Sequence, residues 1–464
     1  MARTPEQNNA IITGSIPRQL LLFFFPIWLG TMFQQLYNTV DTLIVGNFVG
    51  TQALAAVGAT SSFVQLLVGL FVGLCSGAGV IIAQSFGAGD HDEVNRQVHT
   101  ALALAIAGGA ALTVIGLLIS RPVLRLMQTP DEIVGMASEY LQIYFLGMIP
   151  QMIYNMGTNI LRAVGDSKRP LYFLIVASIV NIVLDIVLVA VIPLGVAGAA
   201  IATVASQVVS AVLTVRCIHG SQGMPWHLQL KNIRIEHSVL LAICRIGLPG
   251  AAQSALYSIS NMTIQSAING FGTVAVAAWS VYGKIDFLFW MTVSSFGIAV
   301  TTFAGQNFGA RQYDRMKRCT RVGLGMCLGT IIALSALLFI FRYQLLMFFT
   351  GDAEVVNIGA QFCLVLAPSY FTFVFIEILS GAIRGAGEAL QPMLITCIGV
   401  CGLRVVWILL VVPYWHTMQM VAMNYPVSWV ITAVIFVIYY LRGKWLDRCI
   451  KREHDPQHGT ATEA

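Results

Sequence analysis

The chain has 464 residues, of which 57% are hydrophobic and only 10% are charged. Because an ordinary soluble domain has about a quarter of its residues charged, this composition excludes a soluble protein and predicts an all-α integral membrane protein. The net charge of +5 gives no reason to expect a nucleic-acid partner, since an excess of cytoplasmic Lys and Arg is usual in membrane proteins.

Apolar segments long enough to cross a bilayer, which takes about 20 residues, recur twelve times along the chain. They lie near residues 19–42, 51–79, 98–119, 138–161, 171–192, 195–215, 247–270, 273–303, 322–341, 355–381, 393–413 and 420–441. Most of the 26 basic residues fall on the side of the two termini, so we expect both termini to be cytoplasmic. The first segment is too long for a cleaved signal, and we expect it to be retained.

An internal repeat relates the two halves of the chain at one constant offset, which takes position 50 to position 272. The matching pairs are GTQALAAVG at 50–58 with GTVAVAAWS at 272–280, AQSFGA at 83–88 with GQNFGA at 305–310, and RAVGDSKRP at 162–170 with RGAGEALQP at 384–392. Six spans per repeat is an even number, so both repeats enter the membrane in the same sense. We therefore predict two pseudo-symmetric six-helix lobes at 1–215 and 247–441, a cytoplasmic linker at 216–246 and a cytoplasmic tail at 442–464.

The first span has a polar stripe that includes an acid. Asp41 lies at spacings of three and seven from Asn38 and Gln34, which puts all three on one helix face. An isolated carboxylate at the centre of a bilayer costs about 2.5–3.5 kcal/mol, so such residues usually have a function. We predict that Gln34 and Asn38 contact substrate or support the site around Asp41.

The fifth and sixth spans complete an oxygen-rich set with Asp41. Asn181 and Asp185 lie four residues apart in SIVNIVLDIVL, and Thr203 is followed one turn later by Gln207. Two carboxylates, an amide and a hydroxyl suit Na⁺ or a shared proton, because burial and a neighbouring acid both disfavour a second negative charge. No Lys or Arg lies mid-span in this half, so we interpret the set as a cation or proton site supported by Gln207.

The second half lacks this set. Under the same constant offset, the positions of Asp41, Asn181 and Asp185 are occupied by Thr263, Leu403 and Trp407. The ion site is therefore expected in the first half alone.

Three polar residues of the second half are candidates for contact with substrate. They are Asn261 in an uncharged stripe, and the mid-span acids Asp286 and Glu377. Two readings of the acids stay open: they bind substrate, or they form ion pairs across the helices with Lys284 and Arg404.

These features resemble the multidrug and toxic compound extrusion (MATE) family. The resemblance rests on the twelve-span plan, on MFQQLYNTVDTLIVGNFVG at 32–50, and on the paired QSFGA/QNFGA and RAVGDSKRP/RGAGEALQP strings, and it covers about residues 15–445. It implies a V-shaped pair of six-helix bundles that exports cationic amphipathic drugs in exchange for H⁺ or Na⁺. In the prokaryotic branch it implies a cation site at Asp41, Asn181, Asp185 and Thr203.

The hypothesis is a secondary antiporter that works by alternating access in a prokaryotic plasma (inner) membrane. Its expected partners are cationic small molecules and membrane lipids, with the chain as a monomer and with no cofactor beyond the coupling ion, H⁺ or Na⁺. If Na⁺ is that ion, Asp41 and Asp185 are its predicted metal ligands. Two alternatives stay open: an exporter of a specific metabolite or lipid-linked precursor, and a non-transporting scaffold or receptor. We do not expect an enzyme, because the sequence has no phosphate loop and no nucleophile or metal motif.

Overall fold

The computed structural model describes residues 9–454 of the chain. Residues 1–8 and 455–464 lie outside the described range, and the end of the predicted tail falls there. Within the described range the chain forms helices and short connections, with no strand among them. The predicted all-α fold is thereby confirmed.

The first half of the chain forms eight α-helices. They are α1 (Ala10–Thr13), α2 (Ile16–Ile44), α3 (Thr51–Ala88), α4 (His91–Leu126), α5 (Asp131–Leu146), α6 (Met148–Ala163), α7 (Lys168–Asp185) and α8 (Gly195–His219). Two π-helical turns, Val45–Val49 and Ile186–Val191, continue α2 and α7.

The second half of the chain forms nine further α-helices. They are α9 (His237–Asn269), α10 (Thr273–Gly309), α11 (Tyr313–Met347), α12 (Ala353–Leu366), α13 (Tyr370–Gly385), α14 (Leu390–Thr396), α15 (Leu403–Leu410), α16 (Met418–Leu441) and α17 (Lys444–His454). A π-helical turn, Cys397–Gly402, joins α14 to α15. Short 3-10 turns lie at Leu230–Asn232 and at Ala367–Ser369.

Within the described residues, 11 helices, counted with their continuations, are long and apolar enough to cross a membrane. The twelfth crossing is α5 with α6, two helices of 16 residues each that meet at Gly147. The helices also run past the predicted apolar segments. For example, α3 has 38 residues, about 57 Å at 1.5 Å per residue, against a hydrocarbon core of roughly 30 Å.

The helix boundaries confirm the repeat. The helices that begin at Thr51, His91, Asp131 and Lys168 have counterparts that begin at the same constant offset, at Thr273, Tyr313, Ala353 and Leu390. Glycines at equivalent places supply positive φ angles, of 111° at Gly50 and 93° at Gly272, and of 94° at both Gly165 and Gly387. Other residue types rarely adopt this conformation, so these motif glycines are determinants of the fold.

The helices pack into two compact units. The first unit is Leu22–Ala251, and the second comprises the chain up to Leu21 together with Ala252 onward. These packing units differ from the sequence repeats, because the start of the chain belongs with the second repeat. The domain boundaries at 215 and 247 stay a prediction.

In the first unit, α3 and α9 cross at small residues. A Cβ atom added to Gly77 would lie 2.6 Å from the Gly247 nitrogen and 2.6 Å from the Ile243 carbonyl oxygen. Gly73, one turn earlier on α3, lies against the backbone of Ala251 in the same way. Small residues spaced four apart on both helices let the two backbones approach closely.

In the same unit, the connection 220–236 lies against α4. The Asn95 amide donates to the carbonyl oxygens of Pro225 and His227, at 3.3 and 3.0 Å, and the His99 ring contacts the Gln229 backbone. The polar side chains of α4 therefore hold this connection on the helix.

In the second unit, α1 packs on α10. The Asn9 amide donates to Gln306 Oε1 at 3.0 Å, and the Arg315 guanidinium on α11 donates to the Ile11 carbonyl oxygen at 3.0 Å. The beginning of the described chain is thus fixed by residues about 300 positions later in the sequence.

Candidate functional site

Two acids meet in the interior of the first unit. The carboxyl groups of Asp41 on α2 and Asp185 at the end of α7 lie within hydrogen-bonding reach of each other. Asp185 is 0% exposed, and no donor among the described residues reaches Asp41 Oδ1 or either carboxylate oxygen of Asp185. Two carboxylates at this distance repel each other strongly when both are ionised, so a proton or a cation between them relieves the repulsion.

Asn181 lies one turn before Asp185 and adds an amide to the interior. Its side chain is 1% exposed, and neither its Oδ1 nor its Nδ2 has a hydrogen-bond partner among the described residues. Buried polar atoms normally have partners, so this amide is free to contact an ion or a protonated acid. The predicted role of Asn181 in ion binding stays a prediction.

Thr203 lies on α8, which packs against α7. Its hydroxyl donates to the Ala199 carbonyl oxygen of its own helix at 3.0 Å. A hydroxyl that donates in this way still has a lone pair with which to accept or to bind a cation. Among the described residues no hydrogen bond joins Thr203 to Asp185, so the place of Thr203 in the predicted Na⁺ donor set stays a prediction, whereas the acid pair is suited to a shared proton.

Both acid-bearing helices change to π-helical geometry near the acid. The turn Val45–Val49 begins four residues after Asp41, and Ile186–Val191 begins directly after Asp185. π-helical turns are rare and are frequent at functional sites, because they insert a residue and leave backbone groups less regularly bonded. Helices with such turns have a built-in place to change conformation.

An apolar cluster lies on the π-turn side of the acids. Its buried members are Ile44, Val45, Ala53, Val189, Val196 and Ala199. Val40, Val49, Val57 and Met136 pack around them. These side chains pack together around the π-helical turns that follow Asp41 and Asp185.

Three tyrosines near the acids were missed by the sequence analysis. Tyr37 and Tyr140 are close enough to Asp41 to interact with it electrostatically, and Tyr140 interacts with Asp185 as well. Tyr144 stacks on Tyr140 with ring centroids 6.1 Å apart. Spacings of four residues, from Tyr37 to Asp41 and from Tyr140 to Tyr144, were the available signal, but tyrosine is also a common packing residue in membrane helices.

Gln207 approaches the same tyrosines from α8. Its amide lies beside the Tyr144 hydroxyl, and its buried Oε1 accepts no hydrogen bond of normal geometry within the described chain. A Cβ atom at Gly147 would lie 2.5 Å from this Oε1. The break between α5 and α6 at Gly147 therefore makes room for the Gln207 side chain.

The other predicted polar residues are at the periphery. Gln34 lies beside Tyr37 and is exposed, and Asn38 is exposed without a side-chain contact to the acid pair among the described residues. Asn261 on α9 is likewise exposed. Their roles in binding substrate stay predictions.

Asp286 in the second unit has a full set of donors. It accepts hydrogen bonds from the Tyr370 hydroxyl and, at 2.9 Å, from the Trp290 indole nitrogen. The Tyr282 hydroxyl lies 3.5 Å from the same carboxylate and also contacts the Tyr370 hydroxyl. This carboxylate is therefore solvated by the protein itself, in contrast to the acid pair of the first unit.

Glu377 forms an ion pair within its own helix. The Arg384 guanidinium, in the second RxxG motif, lies 3.4 Å from the Glu377 carboxylate. Lys284 instead stacks on Phe349, 5.3 Å from its ring centroid, and Arg404 makes no salt bridge within the described chain. Among the described residues Glu377 therefore pairs with Arg384, and the predicted alternative of ion pairs with Lys284 and Arg404 stays a prediction for Asp286.

Comparison with known proteins relates the whole chain to transporters. The MatE family model matches residues 26–187 and 249–410, one match in each repeat. The probable multidrug resistance protein YoeA of Bacillus subtilis is 29% identical, over 92% of this chain and 94% of the relative. The FAD transporter of Shewanella oneidensis is 24% identical, over 84% of this chain and 87% of the relative.

Among solved structures, a MOP superfamily transporter from Pyrococcus furiosus has a similar fold. It aligns with a TM-score of 0.88 and 23% sequence identity, over 96% of this chain and 100% of that structure. This likeness extends the agreement from sequence to the path of the backbone.

Proposed function

Because the chain belongs to the MatE family, we propose that it is a secondary antiporter that exports drugs or other toxic compounds in exchange for H⁺ or Na⁺ by alternating access. The name of YoeA, a probable multidrug resistance protein, supports this type of cargo. The observation that carries the proposed ion coupling is the proximity of Asp41 to the buried Asp185, with no donor among the described residues for Asp41 Oδ1 or for either carboxylate oxygen of Asp185.

The acid pair gives a physical route from ion binding to export. Without a bound ion, repulsion between Asp41 and Asp185 favours moving their carboxyl groups apart or admitting a positively charged group. A proton or Na⁺ removes that repulsion and competes with a cationic cargo. Exchange follows if binding of the ion and of the cargo favour different conformations.

The π-helical turns are the proposed moving parts. The turns Val45–Val49 and Ile186–Val191 follow the acids in sequence and contribute Val45, Val49 and Val189 to the apolar cluster. When an ion draws the two carboxyl groups together, α2 and α7 must adjust relative to each other. A register change at either turn would open or seal the apolar cluster, and so would couple ion binding to access.

The residues that would hold Na⁺ are Asp41, Asp185, Asn181 and Thr203, and Asp41 and Asp185 alone would share a proton. We propose cationic amphipathic compounds as cargo, a monomer as the working form, and a prokaryotic plasma membrane as the location, with both termini cytoplasmic. The distribution of Lys and Arg supports this orientation.

The test is export of ethidium from proteoliposomes, with a pH gradient and a Na⁺ gradient imposed separately. D41N and D185N should each reduce gradient-driven transport to the rate of liposomes without protein, because an amide neither releases a proton nor neutralises Na⁺. D131N is the matched control, since Asp131 is an exposed acid at the start of α5 in the same unit. Transport by D41N or D185N at the wild-type rate would refute the coupling role.

A specific metabolite is the second candidate cargo. The observation that favours it is the relative named as an FAD transporter. Competition assays distinguish the two cargoes: a multidrug exporter should transport ethidium and be inhibited by several unrelated cations, whereas a metabolite exporter should respond to FAD alone.

A further inference from the structure

A buried arginine in the second unit has donors without acceptors. Arg404 on α15 is 1% exposed, and its Nε and Nη2 atoms have no hydrogen-bond partner among the described residues. Its guanidinium lies 4.1 Å from the Tyr425 ring centroid and 5.8 Å from that of Trp429. The rings stabilise the cation, but they leave its N–H groups unsatisfied.

The neighbouring acid does not satisfy these donors. Asp286 is near enough to Arg404 for electrostatic interaction, but its oxygens already accept from Tyr370 and Trp290. In the part of the chain that the structure describes, no salt bridge or hydrogen bond joins the Asp286 carboxylate to the guanidinium. The unsatisfied hydrogen-bond donors described here therefore belong to the Arg404 cation, and an anion is the group that would accept hydrogen bonds from them.

Arg404 belongs to a continuous aromatic cluster. Trp429 contacts the rings of Tyr425, Tyr370, Phe373 and Trp290, at centroid distances of 5.3 to 6.4 Å. Asp286 and Trp290 are partly exposed, so the cluster reaches an accessible surface. Aromatic surface around a few polar groups is the usual lining of a small-molecule site.

We propose that Arg404 binds the acidic group of a planar aromatic compound, with the rings of Tyr425 and Trp429 beside it. A guanidinium matches the two oxygens of a carboxylate or the oxygens of a phosphate, and it stacks on aromatic faces more readily than a lysine. The proposal rests on the proposed export function and adds to its cargo: besides cationic compounds, acidic or zwitterionic aromatic compounds are accepted in the second unit, while the first unit binds the coupling ion.

The first experiment uses the wild-type full-length protein in nanodiscs. Isothermal titration compares three ligands that share one ring system: 2-naphthoate, the neutral 2-naphthamide and the cationic 2-naphthylmethylammonium. We expect 2-naphthoate to bind at least about tenfold more tightly than the amide, which is the effect of one charge-assisted contact. Equal binding of the acid and the amide, or tighter binding of the cation, would overturn the proposal without any variant.

The second experiment assigns the selectivity to Arg404. R404Q should lose the preference for 2-naphthoate over the amide. The matched control is R342Q, because Arg342 also stacks on two rings, Phe339 and Tyr343, and also has an Nε without a partner among the described residues, but its Nη1 donates to a backbone carbonyl oxygen of its own helix. Unchanged selectivity in R404Q would overturn the assignment.

R404K serves if R404Q does not fold. Lysine keeps the positive charge but lacks the planar fork, so R404K should still prefer 2-naphthoate while binding it several-fold more weakly. R404K binding as tight as that of the wild type would contradict the proposed geometry.

The outcome separates this proposal from the antiporter. Gradient-driven ethidium export with no preference for 2-naphthoate would refute the anion site and leave the proposed ion coupling standing. A preference for 2-naphthoate without ion-coupled transport would refute the antiporter and leave the anion site standing.

Discussion

The two mid-span acid sites differ in what surrounds their carboxylates. Asp185 faces Asp41 without a donor, whereas Asp286 accepts from Tyr370 and Trp290. When both acids of the Asp41–Asp185 pair are ionised, their repulsion favours binding of a proton or cation, or a change of conformation. The Asp286 carboxylate instead accepts hydrogen bonds and so stabilises the residues around it. The same residue type is therefore suited to coupling in one unit and to scaffolding in the other.

This contrast predicts opposite effects of two matched substitutions on stability. D185N should leave the melting temperature unchanged or raise it, because it removes repulsion and loses no donor. D286N should lower it, because an amide cannot accept from both neighbours as a carboxylate does, at a cost of about 1–3 kcal/mol for each buried group left unsatisfied. Thermal unfolding of both purified variants in one detergent checks this, and an equal loss in D185N would contradict it.

At this scale the sequence identified the acids but not their partners. Asp41 and Asp185 were predictable because a carboxylate in an apolar span is rare and costly. Tyr140 was not, because its helix periodicity is also that of ordinary packing. The pairing of Glu377 with Arg384 was missed because a fold motif and a mid-span acid were treated as separate features.

The crossing of α3 and α9 shows how single positions set the distance between helices. Gly77 and Gly247 leave no space for a side chain between the two backbones. In lipid, helix association depends on such close packing more than on the hydrophobic effect. The crossing should therefore be sensitive to one added methyl group.

G77A should lower the melting temperature, because its Cβ would need the helices to separate, at a cost of about 1–3 kcal/mol. G58A is the matched control in the same helix: Gly58 has nothing within 4 Å of an added Cβ, and alanine in a helix should stabilise by about 0.5–1 kcal/mol. The two variants should shift the melting temperature in opposite directions, and a common direction would argue against the crossing.

Element positions were more predictable than element details. Hydrophobicity located every crossing, since a bilayer requires a long apolar run. Hydrophobicity could not locate the helix ends that extend beyond the apolar core, and it could not locate the break at Gly147. The φ angle of Gly147, −82°, is one that any residue can adopt, and the glycine is needed because a side chain there would collide with Gln207. The π-helical turn Ile186–Val191 reads IVLVAV, an apolar sequence that does not distinguish it from α-helix, whereas the turns VGNFV and CIGVCG contain glycines.

At the scale of the whole molecule, the repeat preserves the helix positions and not the chemistry. Helix starts recur at the constant offset of the repeat, but the position of Asp185 is occupied by Trp407 in the second copy, where the indole donates to the Met420 carbonyl oxygen at 2.8 Å. The first copy of the repeat therefore carries the pair Asp41 and Asp185, and the second copy carries the aromatic cluster around Trp429.

The predicted orientation is testable in intact cells. In a variant that lacks the nine native cysteines, E132C should react with a membrane-impermeant maleimide and Q222C should not, because the predicted orientation puts the start of α5 outside and the connection 220–236 in the cytoplasm. Both side chains are exposed, so access to the reagent is decided by the membrane alone. Labelling of Q222C in unbroken cells would reverse the orientation.

The attachment of the chain's beginning to the second unit bears on the protein's biosynthesis. Ile11 is held by Arg315, which is synthesised 304 residues later. At translation rates of about 5–20 residues per second, this contact cannot form until roughly 15–60 s after the first helix leaves the ribosome. During that interval the segment around Ile11 lacks its contact with Arg315, because Arg315 has not yet been synthesised. The stability of the partly made protein therefore depends on how well lipids and the insertion machinery cover this segment.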